Sequence, residues 1–131
     1  GSYAGIIPIV VKKIIHNQPI EIFDDGEQTR DFVFVRDTAN AMVKIYENEN
    51  TRGKVINIAS GKETSVNRLV EQLKNVMNVP NHPVFYSAPR PGDVRRHCGD
   101  MTRLKELTNF EAGTISPETL LETVEWYKKA I

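Results

Sequence analysis

At 131 residues the chain is the size of one domain, long enough to bury about two thirds of the surface its unfolded form exposes. Apolar residues make up 40% and charged residues 26%, which excludes disordered, collagen-like and membrane-spanning compositions and predicts a soluble globular chain. Seventeen Lys plus Arg balance seventeen Asp plus Glu, so no overall field draws nucleic acid or an anionic membrane, and any anion site must be local. One cysteine, Cys98, cannot form an internal disulfide, and with scattered His16, His82 and His97 it makes no zinc-ligand spacing. That usage points to a reducing, cytoplasmic setting. The run from Ile6 to Val11 is broken by Pro8, too short for a membrane span and without a cleavage pattern. Gly1-Ser2 reads as an expression-tag remnant, with the natural sequence beginning elsewhere.

The first element is a helix to about His16, because Ile6, Ile7, Val10, Val11, Ile14 and Ile15 recur at helical spacing and Pro8 falls in its first turn. Asn17-Gln18-Pro19 stops it, and Ile20-Glu21-Ile22-Phe23 alternates as a strand before the turn Asp24-Asp25-Gly26. The β-branched and aromatic Phe32-Val33-Phe34-Val35 reads as a second short strand, and Asp37 as the cap of a helix through Ala41, Val43 and Ile45 to about Glu49. After Thr51-Arg52-Gly53, Lys54 to Ala59 reads as a buried strand, since Val55, Ile56 and Ile58 are nearly continuous. Thr64 or Ser65 caps a helix whose stripe is Val66, Leu69, Val70, Leu73 and Val76, closed by Pro80. Val84-Phe85-Tyr86 is a further strand, a short helix holds Leu104 and Leu107, and Ser116-Pro117-Glu118 opens a last helix through Leu120, Leu121, Val124, Trp126 and Tyr127.

Strands alternating with about five helices define an α/β chain with parallel crossovers, read as a single domain over residues 1–131. A strand as apolar as 54–59 normally sits inside a larger sheet, so the α/β set looks incomplete.

Two polar clusters stand out: Glu27-Gln28-Thr29-Arg30-Asp31 and Arg90-Pro91-Gly92-Asp93-Val94-Arg95-Arg96-His97. Arginine's planar fork holds phosphate oxygens bidentately and glycine lets backbone amides approach a ligand, so two such loops could grip a diphosphate. The plainer alternatives are a solvated loop with an Arg30–Asp31 or Arg30–Asp37 ion pair, and a basic surface loop. His97 titrates near neutral pH and could serve as an acid or base, though a polar loop residue is the simpler reading. Asp24, Asp25 and Glu27 match no calcium loop, and Ser60-Gly61-Lys62 lacks the flanking glycines of a phosphate loop. Trp126 and Tyr127 read as packing residues.

The order of the pieces says more than any one of them. Tyr3-Ala4-Gly5-Ile6-Ile7-Pro8, then Ile22 through Asp37 with Gln28-Thr29-Arg30-Asp31-Phe32 at its centre, then Asn57-Ile58-Ala59-Ser60-Gly61, Arg90-Pro91-Gly92-Asp93 and Thr123-Val124-Glu125-Trp126-Tyr127 follow one another. This succession closely resembles the carboxy-terminal, substrate-binding portion of the NAD-dependent epimerase/dehydratase family, the extended short-chain dehydrogenases. The resemblance covers essentially the whole chain. It implies that Glu21-Ile22-Phe23 runs beside the nucleotide base, that Arg30 contacts the diphosphate or nucleoside, and that Arg90, Pro91, Gly92 and Asp93 complete the pocket, with Arg90 on the phosphates and Asp93 on the ribose. His97 falls where some members carry a tyrosine near the substrate. The expected ligand is a UDP- or dTDP-sugar. Asp24 stands where the family usually has glycine, which argues against a positive-φ turn there. Asn109-Phe110-Glu111-Ala112 replaces the usual Gly-Trp-x-Pro.

In the family, a Gly-rich turn binds NAD and a Tyr-x-x-x-Lys pair moves the proton. Neither motif occurs in these 131 residues. The expectation is therefore a chain that holds the nucleotide sugar without a cofactor, metal or catalytic residue of its own, and that lacks the Rossmann half. The alternative expectation is a non-catalytic module that self-associates through the unpaired edge of strand 54–59.

Overall fold

The computed structural model of the chain describes residues 5–130. The Gly1-Ser2 opening and Tyr3-Ala4 of the first motif lie outside the described residues. The chain divides into two compact units, one made of Gly1–Gln28, Ser65–Arg95 and Ser116–Ile131, the other of Thr29–Thr64 and Arg96–Ile115.

In the first unit, helix α1 (Ile6–Ile15) buries Val10, Val11 and Ile14, and strand β1 (Ile20–Phe23) buries Ile20 and Ile22. Helix α3 (Val66–Val76) begins where Ser65 Oγ accepts the Arg68 N–H at 3.2 Å, and of the predicted stripe it buries Val66, Leu69, Val70 and Leu73 while Val76 is half-buried. Strand β4 (Val84–Ser87) runs parallel to β1, and helix α5 (Pro117–Ala130) adds Leu120 and Val124. Helix α3 packs on α1 and α5, and α1 packs on β1. Those of these side chains that are fully buried, Leu69 and Leu73 among them, each stabilise the unit by about 1.5–3 kcal/mol relative to leaving them in water. Trp126 stays largely exposed, edge-on to Tyr127 with ring centroids 5.0 Å apart.

In the second unit, helix α2 (Val35–Glu47) packs on α4 (Thr102–Thr108), whose Leu104 is fully buried. The Asn48 side-chain amide donates to the Leu107 carbonyl, and Lys105 pairs with Glu111 at 3.0 Å. The two-residue strands β2 (Thr29–Arg30) and β3 (Thr64–Ser65) form a minimal ladder.

Three expectations are corrected here. Phe32–Val35 is not a strand: helix α2 already begins at Val35, with Phe34 as its N-cap and no side-chain capping bond. Asp37 instead lies in the first turn, and its carboxylate accepts the Gly113 N–H at 2.9 Å. Residues 54–59 are not a strand either. An apolar run becomes a strand only where a ladder partner takes its backbone groups, and among the described residues none does. Val55 is 81% exposed, and the strand edge expected at 54–59 is not formed among the described residues. Finally, Asp24 adopts φ 60, so the turn keeps its left-handed first position without glycine. Aspartate tolerates that region because its short carboxylate bonds locally. Asn17, Asn78 and Asn109 take the same conformation just past α1, α3 and α4.

Candidate functional site

The phase of the β1–β4 ladder decides what β1 offers a ligand. The Ile20 N–H donates to the Pro83 carbonyl and the Asp24 N–H to the Ser87 carbonyl, each at 2.9 Å. In a parallel ladder this turns the backbone groups of Ile20, Ile22 and Asp24 toward β4, and those of Glu21 and Phe23 toward the other edge. There the Phe23 carbonyl takes the Gln28 side-chain N–H at 2.9 Å, so the edge left to a partner is centred on Glu21.

Side chains alternate in step. Ile22 is buried and, with Val84 and Tyr86, lines an open concavity of about 240 Å³ that also touches Lys74 and His82. The opposite face carries Glu21 and Phe23 from β1 and their register partners Phe85 and Ser87 from β4. Ser87 Oγ donates to the Glu21 carboxylate at 2.6 Å. Above Phe23 stands the Arg90 guanidinium, 4.5 Å from the ring centroid. Among the described residues no acceptor takes a hydrogen bond from that guanidinium.

The loop leaving Arg90 is tied down. The Asp93 N–H closes a turn onto the Arg90 carbonyl at 3.2 Å, and Arg95 grips Asp25 bidentately at 2.6 and 2.9 Å, with Asp24 at 3.8 Å. The Arg95 hydrogen bonds, followed by the Glu27 N–H, lower the Asp25 pKa from 3.8 to about 2. Gly26 is required in this turn: it holds φ 76, and a Cβ there would run into the Asn67 side-chain amide. That amide in turn donates to the Asp25 carbonyl and the Glu27 carboxylate and accepts from the Tyr86 hydroxyl.

Of the residues expected at a site, Glu21, Ile22, Phe23, Arg90, Pro91, Gly92 and Asp93 belong to the first unit, and Arg30 and His97 to the second. In the second unit Arg30 Nη1 donates to the Thr29 carbonyl at 2.7 Å, and His97 is exposed. Arg96 holds Glu63 through two hydrogen bonds, and Glu63 also accepts the Thr29 hydroxyl at 2.5 Å. These bonds, Arg96 first, lower the Glu63 pKa from 4.5 to about 2. Next to Arg30, the Asp31 carboxylate gathers four N–H and O–H donors, the Ser60 N–H and hydroxyl, the Gly61 N–H and the Gly99 N–H, at 2.5–3.2 Å, and the Cys98 thiol at 3.9 Å. Gly99 approaches Ala59 too closely for a Cβ.

Sequence reasoning had treated Asp31 as half of a surface ion pair and Asp25 as a poor metal ligand. No local signal marks either role, because the partners of Asp31 (Ser60, Gly61 and Gly99) and of Asp25 (Arg95) lie 29 to 70 residues away. No cluster of three metal-ligating side chains occurs among the described residues, and no helix there is long and apolar enough to cross a membrane. Nor do these residues fit a dinucleotide: β1 leads through its turn to β2 rather than to a helix N-terminus, and α3 follows β3 without a glycine-rich turn.

Among the described residues the elements make a small α/β chain of five helices and few strands, and comparison with known proteins narrows the class. The family model of the NAD dependent epimerase/dehydratase family matches residues 1–59. UDP-glucose 4-epimerase of Mycolicibacterium smegmatis is 32% identical over 125 residues, covering 95% of this chain and 39% of that protein. The crystal structure of UDP-glucose 4-epimerase with UDP-glucose from Thermotoga maritima is similar with a TM-score of 0.85 at 35% identity, covering 97% of this chain and 40% of that one. UDP-N-acetylglucosamine 4-epimerase of Methanobrevibacter ruminantium, in complex with UDP-N-acetylmuramic acid, gives 0.90 at 32% identity, covering 100% and 41%. The chain belongs to the NAD dependent epimerase/dehydratase family. It spans about two fifths of the length of these relatives.

Proposed function

We propose that this chain binds a nucleotide sugar, a UDP- or dTDP-sugar, as the substrate-binding portion of a sugar-nucleotide 4-epimerase or a related dehydratase, and that it performs no catalysis alone. The observation that carries this reading is the Arg90 guanidinium, poised on Phe23 beside the Glu21 edge with no hydrogen-bond acceptor among the described residues. Arginine brings five donors in a fork that matches phosphate oxygens, and a strand edge with an adjacent N–H and C=O matches the imide of uracil or thymine. Asp93, three residues on, is assigned to the ribose hydroxyls. Arg30 and His97 keep the roles the resemblance gives them, a phosphate or nucleoside contact and a substrate contact. The names of the relatives favour the epimerase. NAD belongs to the full-length family and is assigned no residue in this chain. The lone free cysteine, Cys98, supports a cytoplasmic setting.

Calorimetry with UDP-glucose, UDP-galactose, UDP-glucuronate and dTDP-glucose tests the reading. Heat is expected with at least one of them, and silence from all four at millimolar concentration would overturn it. The second reading, a non-catalytic self-associating module, is favoured by one feature: helix α2 exposes Val35, Met42, Val43 and Tyr46. Light scattering separates the two, since a monomer that binds a nucleotide sugar leaves only the first.

A further inference from the structure

In the structure the face of Phe23 is already taken. The Arg90 guanidinium carbon lies 4.5 Å from the ring centroid, so a planar base that stacks on this face must displace it. Its anchorage is uneven. Pro89 and Pro91 fix their own φ, and Pro91 restricts the preceding Arg90 to extended backbone, so most of the freedom at this point lies in the side chain. Further along, Arg95 holds Asp25 with two hydrogen bonds, which keeps the loop in place whatever Arg90 does. At the side chain's end, the guanidinium meets the Phe23 ring in a cation–π stack, an interaction far weaker at an exposed site than bidentate, charge-assisted bonds to a diphosphate.

We infer that Phe23 and Arg90 are an exchange pair that makes this face selective for ligands carrying both a planar base and a diphosphate. The base takes the ring, and the guanidinium it releases takes the phosphates. A diphosphate without a base must pull Arg90 from the ring and leaves Phe23 bare. A nucleoside without phosphates must displace Arg90 and gives it nothing to hold. This inference rests on the nucleotide-sugar reading and adds to it a role for Phe23 in specificity that acts through Arg90.

The test compares UDP, uridine and pyrophosphate by calorimetry on the chain and on Phe23→Leu. In Phe23→Leu pyrophosphate is expected to bind about two- to fivefold tighter, because Arg90 is no longer held by the ring. UDP is expected to bind at least about fivefold weaker, because the base loses its platform. Changes of opposite sign are the signature; a ring that only supports the fold would weaken both ligands together, and that result would overturn the exchange. Nuclear magnetic resonance of the unmodified chain gives an independent reading. The Arg90 Nε–H resonance, shifted by the Phe23 ring current, is expected to move away from that position when UDP saturates the site. UDP binding with heat while that resonance stays put would sink the exchange and leave the nucleotide reading standing. The absence of heat with UDP would sink both.

Discussion

Asp31 shows how one carboxylate can organise three stretches of chain. Residues 31, 60–61 and 99 are far apart in sequence, and none of them lies in regular secondary structure. The carboxylate supplies the acceptors those loop amides need, with two N–H or O–H donors on each oxygen. Asparagine is nearly the same shape but has one acceptor oxygen, so Asp31→Asn sets an NH₂ group against two donors. Leaving partly buried donors unsatisfied typically costs 1–3 kcal/mol each. The expected loss is about 2 kcal/mol of unfolding free energy or more, read from the urea midpoint. A variant within about 0.5 kcal/mol of the parent would mean that water replaces the carboxylate and that the loops hold themselves.

Among the elements, α3 couples a local signal to a packed face. Ser65→Ala removes the oxygen that takes the Arg68 N–H and is expected to cost about 1 kcal/mol, while Ser65→Gly costs only a few tenths. Leu69→Ala, at a fully buried position, is expected to cost about 2–5 kcal/mol. Urea denaturation of the three variants checks both the order and the sizes. Helices α1, α3 and α5 and strands β1 and β4 were legible because their apolar residues recur at the spacing of the element and turn residues bracket them. The segments 32–35 and 54–59 were misread for a shared reason: β-branched and aromatic content describes a residue suited to a sheet, not the presence of a neighbouring strand. Helix α2 was placed, but its start was not, because Asp37 attracted the cap while its carboxylate is committed to Gly113. Of the candidate site, the arginines and the Gly-Asp turn were legible as residue types. The stacking of Arg90 on Phe23 was not, since it depends on where the end of β1 meets the loop after β4.

At the scale of the molecule, charge balances at neutrality, and each unit carries one strongly shifted acid. Asp25 is held at about 2 by Arg95 in the first unit and Glu63 at about 2 by Arg96 in the second, against ordinary values of 3.8 and 4.5. A carboxylate whose folded pKa is depressed binds its proton more readily in the unfolded chain. Its contribution to stability is therefore complete above the unfolded value and is lost as pH falls through the folded one. The window runs from about 4.5 down to about 2. Stability is expected to owe nothing to these two groups between pH 7 and 5 beyond a constant, and then to fall as each takes up to about one proton on unfolding near pH 3. Asp25→Asn and Glu63→Gln should each flatten that acid limb by up to about one proton, with additive effects because the groups share no partner. Urea midpoints of the parent, the two single variants and the double variant between pH 2 and 7 measure this slope. An acid limb equally steep in all four proteins would show that exposed arginine pairs in this chain are screened by water and that acid unfolding is driven by the general build-up of positive charge instead.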